Sequence, residues 1–476
     1  MKKILIFLFY AFLAMLTACA NPNIPQRQKP ERPEDIMIPM NSEADISGQK
    51  GEGETKGGED GSGFVLLSDA NSAFSNHFGT EQGYYQFTES QEIVDGLYGK
   101  HLTYIDYAQR EEVYLCSDSA CLHNSATCSS VFLDDEFGRD PLPFVWEETL
   151  YVLGREYDGD GVVEVFGGGA PDMAAAALYR MELDGSDRKK IYTFPEDTVV
   201  EKLVFGSGDT LWFVIKELVF EQEGNQTYTL AKERRICRYS IADNKMSEGV
   251  SLDFGDNIQY KVIGGYGSLL VLSGVAYPDG MSETDVMRLD DDKWRNVWQN
   301  SSTIYSTFDV ATQEKKEIYR TDNREMSFCA VKGGMLFIAD SVSGEITRLN
   351  LDTGEQSVLA SLKQNYIYYV LRDTLCCVSI EDVNDKSLYF VDMESGEVKR
   401  SMLTNLSLGW QLDILAETER EVLVIYDYDA KDNGDGSYEI LQYKYALISK
   451  EDLYNGVAGY NFRQFGLLDK TGIDLP

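Results

Sequence analysis

The chain contains 476 residues, of which 43% are hydrophobic and 26% are charged, so its bulk composition is that of a folded protein. Acidic residues outnumber basic residues by 79 to 43, and the formal net charge is −36. Because nucleic acids are bound through basic patches that displace counterions, this charge excludes nucleic acid as a main partner. The 29 tyrosines, 22 phenylalanines and 41 glycines, against 11 prolines, favour β structure with frequent turns.

Residues 1–18 are predicted to be an export signal. Lys2 and Lys3 precede 13 apolar residues, Ile4–Leu16, which are too few for a membrane span of about 20 residues. The segment Leu16-Thr17-Ala18-Cys19 resembles the lipobox of bacterial lipoproteins. This resemblance implies that Cys19 becomes the N-terminus, carries diacylglycerol and a further acyl chain such as palmitate, and anchors the protein in the lipid bilayer. The location would be the outer face of the bacterial cytoplasmic membrane; the alternative is an ordinary signal peptide with an incidental cysteine.

Residues 19–63 are predicted to be a disordered, lipidated tether. From Ala20 to Gly63 there is no Phe, Trp or Tyr, five of the 11 prolines fall here, and the second half is rich in Gly and Glu. Such a segment cannot bury enough apolar surface to offset the entropy lost on ordering. As a flexible coil it would span roughly 35 Å.

Residues 64–476 are predicted to form an all-β propeller. Pairs of strands recur, and the turn glycines Gly354 and Gly396 follow alternating apolar residues at a spacing of 42. We count seven units of four strands, each of roughly 50–55 residues, which is typical of propeller blades. Six or eight blades are the alternatives, and two β-sandwiches would not explain the repeated turn. Phe64–Leu67 is expected to complete the last blade.

Two kinds of short sequence motif resemble motifs of known propeller families. The turns Leu183-Asp184-Gly185-Ser186 and Asp352-Thr353-Gly354-Glu355 resemble those of TolB-like and quinoprotein-like propellers. Residues 113–128 resemble a Cys…Cys-x-His…Cys segment in propeller lipoproteins of anaerobic gut Firmicutes. These resemblances imply the fold and the lipid-anchored location, and no activity.

A cysteine-rich segment is the first candidate site. It places three thiols and one imidazole within 13 residues, at Cys116, Cys121, His123 and Cys128. Four such ligands are what a structural zinc ion needs, although the spacing matches no standard zinc finger. A disulfide between two of the thiols suits an exported protein equally well, and three free thiols are the remaining interpretation. In each case we expect the segment to brace a loop of the first blade.

Long connections between the second and third strands of blades 2, 3 and 4 form the second candidate site. They cover about residues 155–177, 217–235 and 276–303. Equivalent connections emerge on one face of a propeller, so we expect them to cluster over one end of the channel. Their candidate ligand-binding residues are Tyr157, Phe166, Tyr228, Tyr277, Trp294, Arg295 and Trp298. Aromatic rings beside polar groups suit sugars and peptides; the alternative is that the loops only cover one another.

An acidic stretch, residues 427–436, is a weak candidate for Ca²⁺. It is rich in oxygen ligands, but it fails the EF-hand template, because Lys431 occupies the third position counted from Asp429. A plain hairpin loop is the competing interpretation.

The sequence favours a membrane-anchored extracytoplasmic lipoprotein whose propeller binds a glycan, a peptide or a protein partner without catalysis. The alternatives are a scaffold subunit of an envelope complex and an exported glycan hydrolase or lyase. Propeller glycosidases work with paired carboxylates, but no motif singles out such a pair here. The chain has only His77, His101 and His123 as imidazole bases and lacks a Gly-x-Ser-x-Gly nucleophile elbow, which weighs against an enzyme.

Overall fold

The computed structural model describes residues 63–68, 77–88, 90–94, 96–138, 140–155, 165–166, 175–196, 198–223, 226–322, 327–340, 342–363, 365–379, 385–407, 409–432, 438–456 and 463–465. The chain divides into two compact units. One comprises 1–55 and 430–441, of which the described residues are 430–432 and 438–441. The other comprises 56–429 and 442–476. The predicted signal, Cys19 and the tether up to residue 62 lie outside the described residues. No helix within the described ranges is long and apolar enough to cross a membrane.

Seven antiparallel sheets form the seven blades of a β-propeller, which confirms the predicted fold class and blade number. The chain enters through β1 (Val65–Leu66). Blade 1 contains β2 (His77–Gly79), β3 (Gly83–Phe87), β4 (Gln91–Val94), β5 (Leu97–Asp106), β6 (Glu111–Tyr114) and β7 (Val131–Leu133). Blade 2 contains β8 (Leu142–Trp146), β9 (Thr149–Gly154), β11 (Ala177–Met181) and β12 (Lys189–Thr193), with β10 (Val165–Phe166) in its insertion.

Blade 3 contains β13 (Thr198–Ser207), β14 (Thr210–Glu223), β15 (Gln226–Ser240), β16 (Lys245–Met246) and β17 (Val250–Ser251). Blade 4 contains β18 (Tyr260–Tyr266), β19 (Leu269–Ala276), β20 (Ser302–Asp309) and β21 (Glu314–Asp322). Blade 5 contains β22 (Ser327–Lys332), β23 (Met335–Asp340), β24 (Glu345–Asn350) and β25 (Gln356–Ser361). Blade 6 contains β26 (Asn365–Val370), β27 (Thr374–Ser379), β28 (Leu388–Asp392) and β29 (Val398–Ser401). Blade 7 contains β30 (Asp413–Glu417), β31 (Glu421–Asp432), β32 (Tyr438–Ser449) and β33 (Arg463–Gln464).

The helices of the described ranges are short and lie between strands. They are α1 (Asp134–Phe137), α2 (Glu283–Met287), α3 (Asp291–Gln299) and α4 (Lys450–Asn455), with a 3-10 turn at Pro278–Gly280. Both α2 and α3 lie in the blade-4 insertion, where the sequence analysis expected a loop.

The position of each strand in its blade explains its composition. Blades stack face to face, so the second strand of a blade is covered on both faces and reads as an apolar run. The strand β9 (TLYVLG) is buried along almost its whole length, and β27 (TLCCVS) behaves in the same way. The outermost strands, such as β25 (QSVLAS), are largely exposed and tolerate polar residues.

Each apolar cluster of the core joins two neighbouring blades. Phe144 of blade 2 and Phe213 of blade 3 share one cluster, and Phe390 of blade 6 shares another with Val424 of blade 7. Analogous clusters join blades 1 and 2, 3 and 4, 4 and 5, and 5 and 6. The ring closes between blades 7 and 1, where the Tyr445 hydroxyl donates a hydrogen bond to Gln86 Oε1 at 3.1 Å. The core is therefore a ring of interfaces rather than a single centre.

The turn between the third and fourth strands accounts for the sequence repeat. In blade 5, Asn350 Oδ1 accepts hydrogen bonds from two successive backbone N–H groups, and Gly354, four residues later, has φ +73°. In blade 6, Asp392 and Gly396 repeat this arrangement, and Gly396 has φ +75°. A side-chain acceptor at the first position and a left-handed residue at the fifth close the turn.

The expectation that Phe64–Leu67 completes the last blade is wrong. Strand β1 pairs antiparallel with β13 of blade 3, Val65 opposite Gly206 and Leu66 opposite Phe205. The last blade is completed by β33, which pairs with β32. First strands of neighbouring blades contact one another, so they are innermost, and β1 lies on the inner edge of blade 3. The Phe64 ring packs against Phe205 at 5.7 Å between centroids. The sequence around Phe64 has no pattern that predicts this apolar contact.

Candidate functional site

The cysteine-rich loop interrupts the outer edge of blade 1. Strands β6 and β7 both pair with β5, so the segment 115–130 is an excursion between two halves of one edge strand. Its two ends meet at Leu102, whose backbone N–H donates to Ser130 O at 2.8 Å and whose carbonyl accepts from the Leu115 N–H at 3.0 Å. The sheet therefore holds the two ends of the loop close together.

The loop brings together all four residues that the sequence singled out. One ligand atom from each of Cys116, Cys121, His123 and Cys128 lies within 4.8 Å of the other three. His123 Nδ1 is 3.5 Å from Cys128 Sγ, and the His123 backbone N–H donates to Cys121 Sγ at 3.3 Å. The φ of His123 is +56°, a left-handed conformation that turns the chain sharply between Cys121 and Cys128. This convergence can hold a tetrahedral cation or position two thiols for a disulfide.

A second layer of polar contacts supports the loop, and the sequence analysis did not find it. His101 Nε2 donates to the His123 carbonyl at 2.7 Å, and the Gln91 amide donates to His101 Nδ1 at 2.9 Å. The Tyr114 ring packs against both His101 and His123, with centroids 4.8 and 4.5 Å away. His101 and Gln91 lie in strands 13 residues or more before the loop and match no motif, so only the pairing of β5 with β4 and β7 reveals them.

The thiols of the loop differ in their acidity. Partial burial opposes ionisation of Cys116, but hydrogen bonds with the Asp118 backbone and the Ser129 side chain outweigh it and lower its pKa. Burial raises the pKa of Cys128 to about 11. Burial also lowers the pKa of His123, which favours a neutral imidazole. The loop therefore contains one thiol that ionises more easily than usual, Cys116, and one that ionises less easily, Cys128.

A groove of about 510 Å³ lies between blades 1 and 2, beside this loop. Its lining includes Tyr85, Tyr104, Tyr114, Cys116 and Asp184. Burial raises the pKa of Tyr104 to about 12, so the groove presents neutral phenols at ordinary pH. The sequence analysis missed this groove because its tyrosines come from separate strands that carry no motif.

The predicted insertions of blades 2 and 3 meet through their backbones. Phe166 lies in β10 and Tyr228 in β15, and these strands pair with Phe166 opposite Gln226. The insertion of blade 3 is a continuous extension of β14 and β15 rather than a loop. Tyr157 lies outside the described residues.

The blade-4 insertion presents a tryptophan pair. Asp290 caps α3 by accepting from the Lys293 N–H at 3.0 Å, and Trp294 and Trp298 follow one turn apart. Their rings are nearly parallel, with planes 11° apart and centroids 5.8 Å apart. Trp294 is 44% exposed, which is unusual for so large an apolar side chain.

Of the two remaining predicted residues of this insertion, Arg295 lies between the two tryptophans in the chain and Tyr277 lies before them. Arg295 forms a surface ion pair with Asp292 at 3.7 Å. Tyr277 is half-buried and immediately precedes the 3-10 turn; burial raises its pKa to about 12.

The acidic stretch contains carboxylates that already face a cation. Lys444 Nζ lies 3.3 Å from Asp427 Oδ2 and 2.7 Å from Asp429 Oδ1, and Asp427 also accepts from the Ser407 N–H at 3.0 Å. Residues 433–437 lie outside the described part of the chain. The arrangement is that of an ion-paired hairpin.

A buried carboxylate near the start of blade 7 was not foreseen. Asp413 accepts hydrogen bonds from the Tyr368 hydroxyl at 2.8 Å and from the Tyr428 hydroxyl. Burial raises the pKa of Asp413 in spite of these bonds. Among 79 acidic residues, nothing in the sequence distinguishes it.

The four cysteines outside the loop and the signal lie in the blades. Cys237 lies in β15, Cys329 in β22, and Cys376 and Cys377 are fully buried in β27. They act as small apolar residues of the core, as the sequence indicates.

No protein-family model and no curated protein matches the chain. Among solved structures it is similar to a puromycin hydrolase mutant complexed with PGG, to dipeptidyl peptidase 4 of Porphyromonas gingivalis and to TolB of Acinetobacter baumannii. The identities are 10%, 11% and 11%, and the TM-scores are 0.43, 0.34 and 0.29. The matches cover 83%, 80% and 78% of this chain and 54%, 51% and 77% of the respective structures, so the chain spans about half the length of the first two. Likeness at this level concerns the fold and not the ligand.

Proposed function

We propose that the protein is a lipoprotein, acylated at Cys19, whose propeller binds a neutral glycan outside the cytoplasm without catalysing a reaction. The observation that carries this proposal is the nearly parallel pair of indole rings formed by Trp294, which is 44% exposed, and Trp298, which is partly buried.

The exposure of Trp294 has a physical cost that a ligand would remove. Large aromatic side chains gain most from burial and are normally packed in the core or in an interface. The exposed indole face of Trp294 is flat and apolar, and the C–H face of a sugar ring fits such a face while the sugar hydroxyls remain in water. A partner that covers both rings would bury apolar area and keep its polar groups hydrated.

The charges around this pair favour a neutral ligand. The two cations of α3 already face carboxylates, since Lys293 lies 2.8 Å from Asp290 and Arg295 lies 3.7 Å from Asp292. The chain as a whole carries a formal net charge of −36, which repels polyanions. An acidic polysaccharide is therefore disfavoured relative to an uncharged one.

The support of the pair is rigid enough for a binding site. Helix α2 begins with a capping box in which Ser282 and Asp285 satisfy each other's backbone N–H groups, and its Val286 is buried. At the other end the Ser301 hydroxyl donates to the Trp298 carbonyl at 2.6 Å, immediately before β20. A site held at both ends loses less entropy on binding than a free loop would.

The test is capture of glycans by the full chain in detergent micelles. We expect neutral cell-wall or host glycans to bind, and Trp294→Ala or Trp298→Ala to weaken binding at least tenfold, since buried aromatic anchors contribute about 2 kcal/mol or more. Tyr98→Ala is the matched control, because Tyr98 is an exposed aromatic residue on blade 1. Circular dichroism would verify that each variant is folded.

Three outcomes would contradict this proposal. Undiminished capture in both tryptophan variants would place the site elsewhere. Capture of an envelope protein and no glycan would support a scaffold role. Shortening of a bound glycan by the purified protein would support a hydrolase or lyase. Detection of an acylated N-terminal cysteine by mass spectrometry tests the anchor separately, and an unmodified Cys19 would refute it.

A further inference from the structure

We propose that Cys116, Cys121, His123 and Cys128 form a structural zinc site that closes the loop 115–130 on the edge of blade 1. This site is independent of the glycan surface, since it lies on another blade.

The donor set and its spacing suit zinc. Tetrahedral zinc binds thiolates at about 2.3 Å and imidazole nitrogen at about 2.0–2.1 Å, so its ligand atoms are roughly 3.3–3.8 Å apart. The four donor atoms lie within 4.8 Å of one another, so contraction by about 1.5 Å at most completes the tetrahedron. Thiolate and imidazole ligands favour zinc over calcium or magnesium, which prefer oxygen.

Convergence of all four residues distinguishes zinc from a disulfide. A disulfide would use two thiols and would leave the third thiol and the imidazole gathered around it for no purpose. In the loop, the turn at His123 directs Nδ1 to within 3.5 Å of Cys128 Sγ, and the His123 N–H donates to Cys121 Sγ. The loop thus gathers the imidazole and two of the sulfur atoms around one point.

Polar groups around the loop hold its backbone in place, as the groups that surround a metal site hold the metal ligands. The His101 imidazole fixes the His123 carbonyl at 2.7 Å and is itself fixed by Gln91. Ser130 Oγ lies 3.1 Å from Cys128 Sγ. Outer contacts of this kind orient ligands and conserve their geometry.

Zinc binding to this site requires no reactant other than the metal ion and no change of oxidation state. Each of the three thiols releases its proton to solvent as its sulfur–zinc bond forms, and the imidazole binds as the neutral base. Three thiolates and Zn²⁺ leave a single net negative charge. All four coordination positions are taken by protein, so no open position remains for substrate and the role is structural.

Metal analysis of the reduced full chain, purified in detergent micelles, tests the proposal. We expect about one zinc per chain and, after exchange for Co²⁺, the absorption of a tetrahedral site with thiolate charge transfer. Cys121→Ala should lower zinc affinity at least tenfold. Cys329→Ala is the control, because Cys329 lies in β22 of blade 5, and its metal content should be unchanged.

A variant that retains four metal ligands tests whether loss of metal in Cys121→Ala results only from misfolding. His123→Cys offers four thiolates instead of three, so it should still bind cobalt and its charge-transfer absorption should rise by about one third. No tetrahedral cobalt spectrum in the reduced wild-type chain, or equal metal loss in Cys121→Ala and Cys329→Ala, would overturn the proposal. A disulfide within the loop that persists in the purified protein and excludes zinc would also overturn it.

Discussion

The buried ion pair between Arg155 and Asp140 allows a quantitative prediction about the junction of blades 2 and 3. The Arg155 side chain is 1% exposed and donates from Nη2 to the Asp140 carboxylate, from Nε to the Asp140 carbonyl at 3.2 Å, and from Nη1 to Val200 O in β13 at 2.9 Å. One guanidinium therefore spans from the beginning of blade 2 to the first strand of blade 3. We consider its replacement in Arg155→Leu.

The expected loss follows from the burial of the groups left behind. Removing one partner of a buried ion pair costs about 3–5 kcal/mol, because the remaining charge stays in a medium of low dielectric constant. The Val200 carbonyl also loses a donor, which adds about 1 kcal/mol. The comparison is the surface pair of Lys189 and Asp187, whose side chains are 56% and 50% exposed, and Lys189→Ala should cost less than about 1 kcal/mol.

Urea denaturation followed by tryptophan fluorescence measures both losses. The double variant Arg155→Leu/Asp140→Leu should recover most of the loss, because apolar residues can replace a buried pair at little cost. A loss for Arg155→Leu no larger than that for Lys189→Ala would refute the argument that burial makes this pair important.

Two further predictions concern a carboxylate and the repeated turn. Partial burial opposes ionisation of Asp385, but hydrogen bonds from neighbouring serine and tyrosine groups and from Arg400 outweigh it and hold its pKa well below the usual range. Asp385→Asn should therefore cost about 1 kcal/mol at pH 7, and the deficit should shrink as the pH falls below about 4; a deficit unchanged at pH 3 contradicts this. Gly396→Ala should cost more than Gly354→Ala in urea denaturation, since both have positive φ but only at Gly396 would the new Cβ meet a backbone oxygen, at 2.1 Å; equal losses would refute this.

The sequence was sufficient for the fold wherever a local pattern repeats. Gly354 and Gly396 mark equivalent turns of blades 5 and 6, and the alternating strands around them led to the correct blade number. The position of β1 could not be predicted in this way, because Val65 and Leu66 pair with β13, about 140 residues later. A strand of two residues is too short to show a periodic pattern from which its partner strand could be predicted.

The candidate sites were predictable to different extents. The four residues of the proposed zinc site fall within one short segment, so proximity in sequence became proximity in space. Their support by His101 and the groove lined by Tyr85 and Tyr104 depend on strand register, which a single sequence does not provide. Trp294 and Trp298 are candidates from their place in a long connection, but the sequence does not show that their rings lie nearly parallel.

The placement of β1 determines how the ring would bear a load. A pull on the residues preceding Phe64 reaches the propeller at the inner edge of blade 3 and at the Gly267 carbonyl of blade 4, which accepts from the Phe64 N–H at 2.7 Å. The seam between blades 7 and 1, which shares no strand among the described residues and is joined by contacts such as that of Tyr445 with Gln86, lies away from that point of attachment. Mechanical stress would therefore peel a two-residue strand before it could open the ring at its seam.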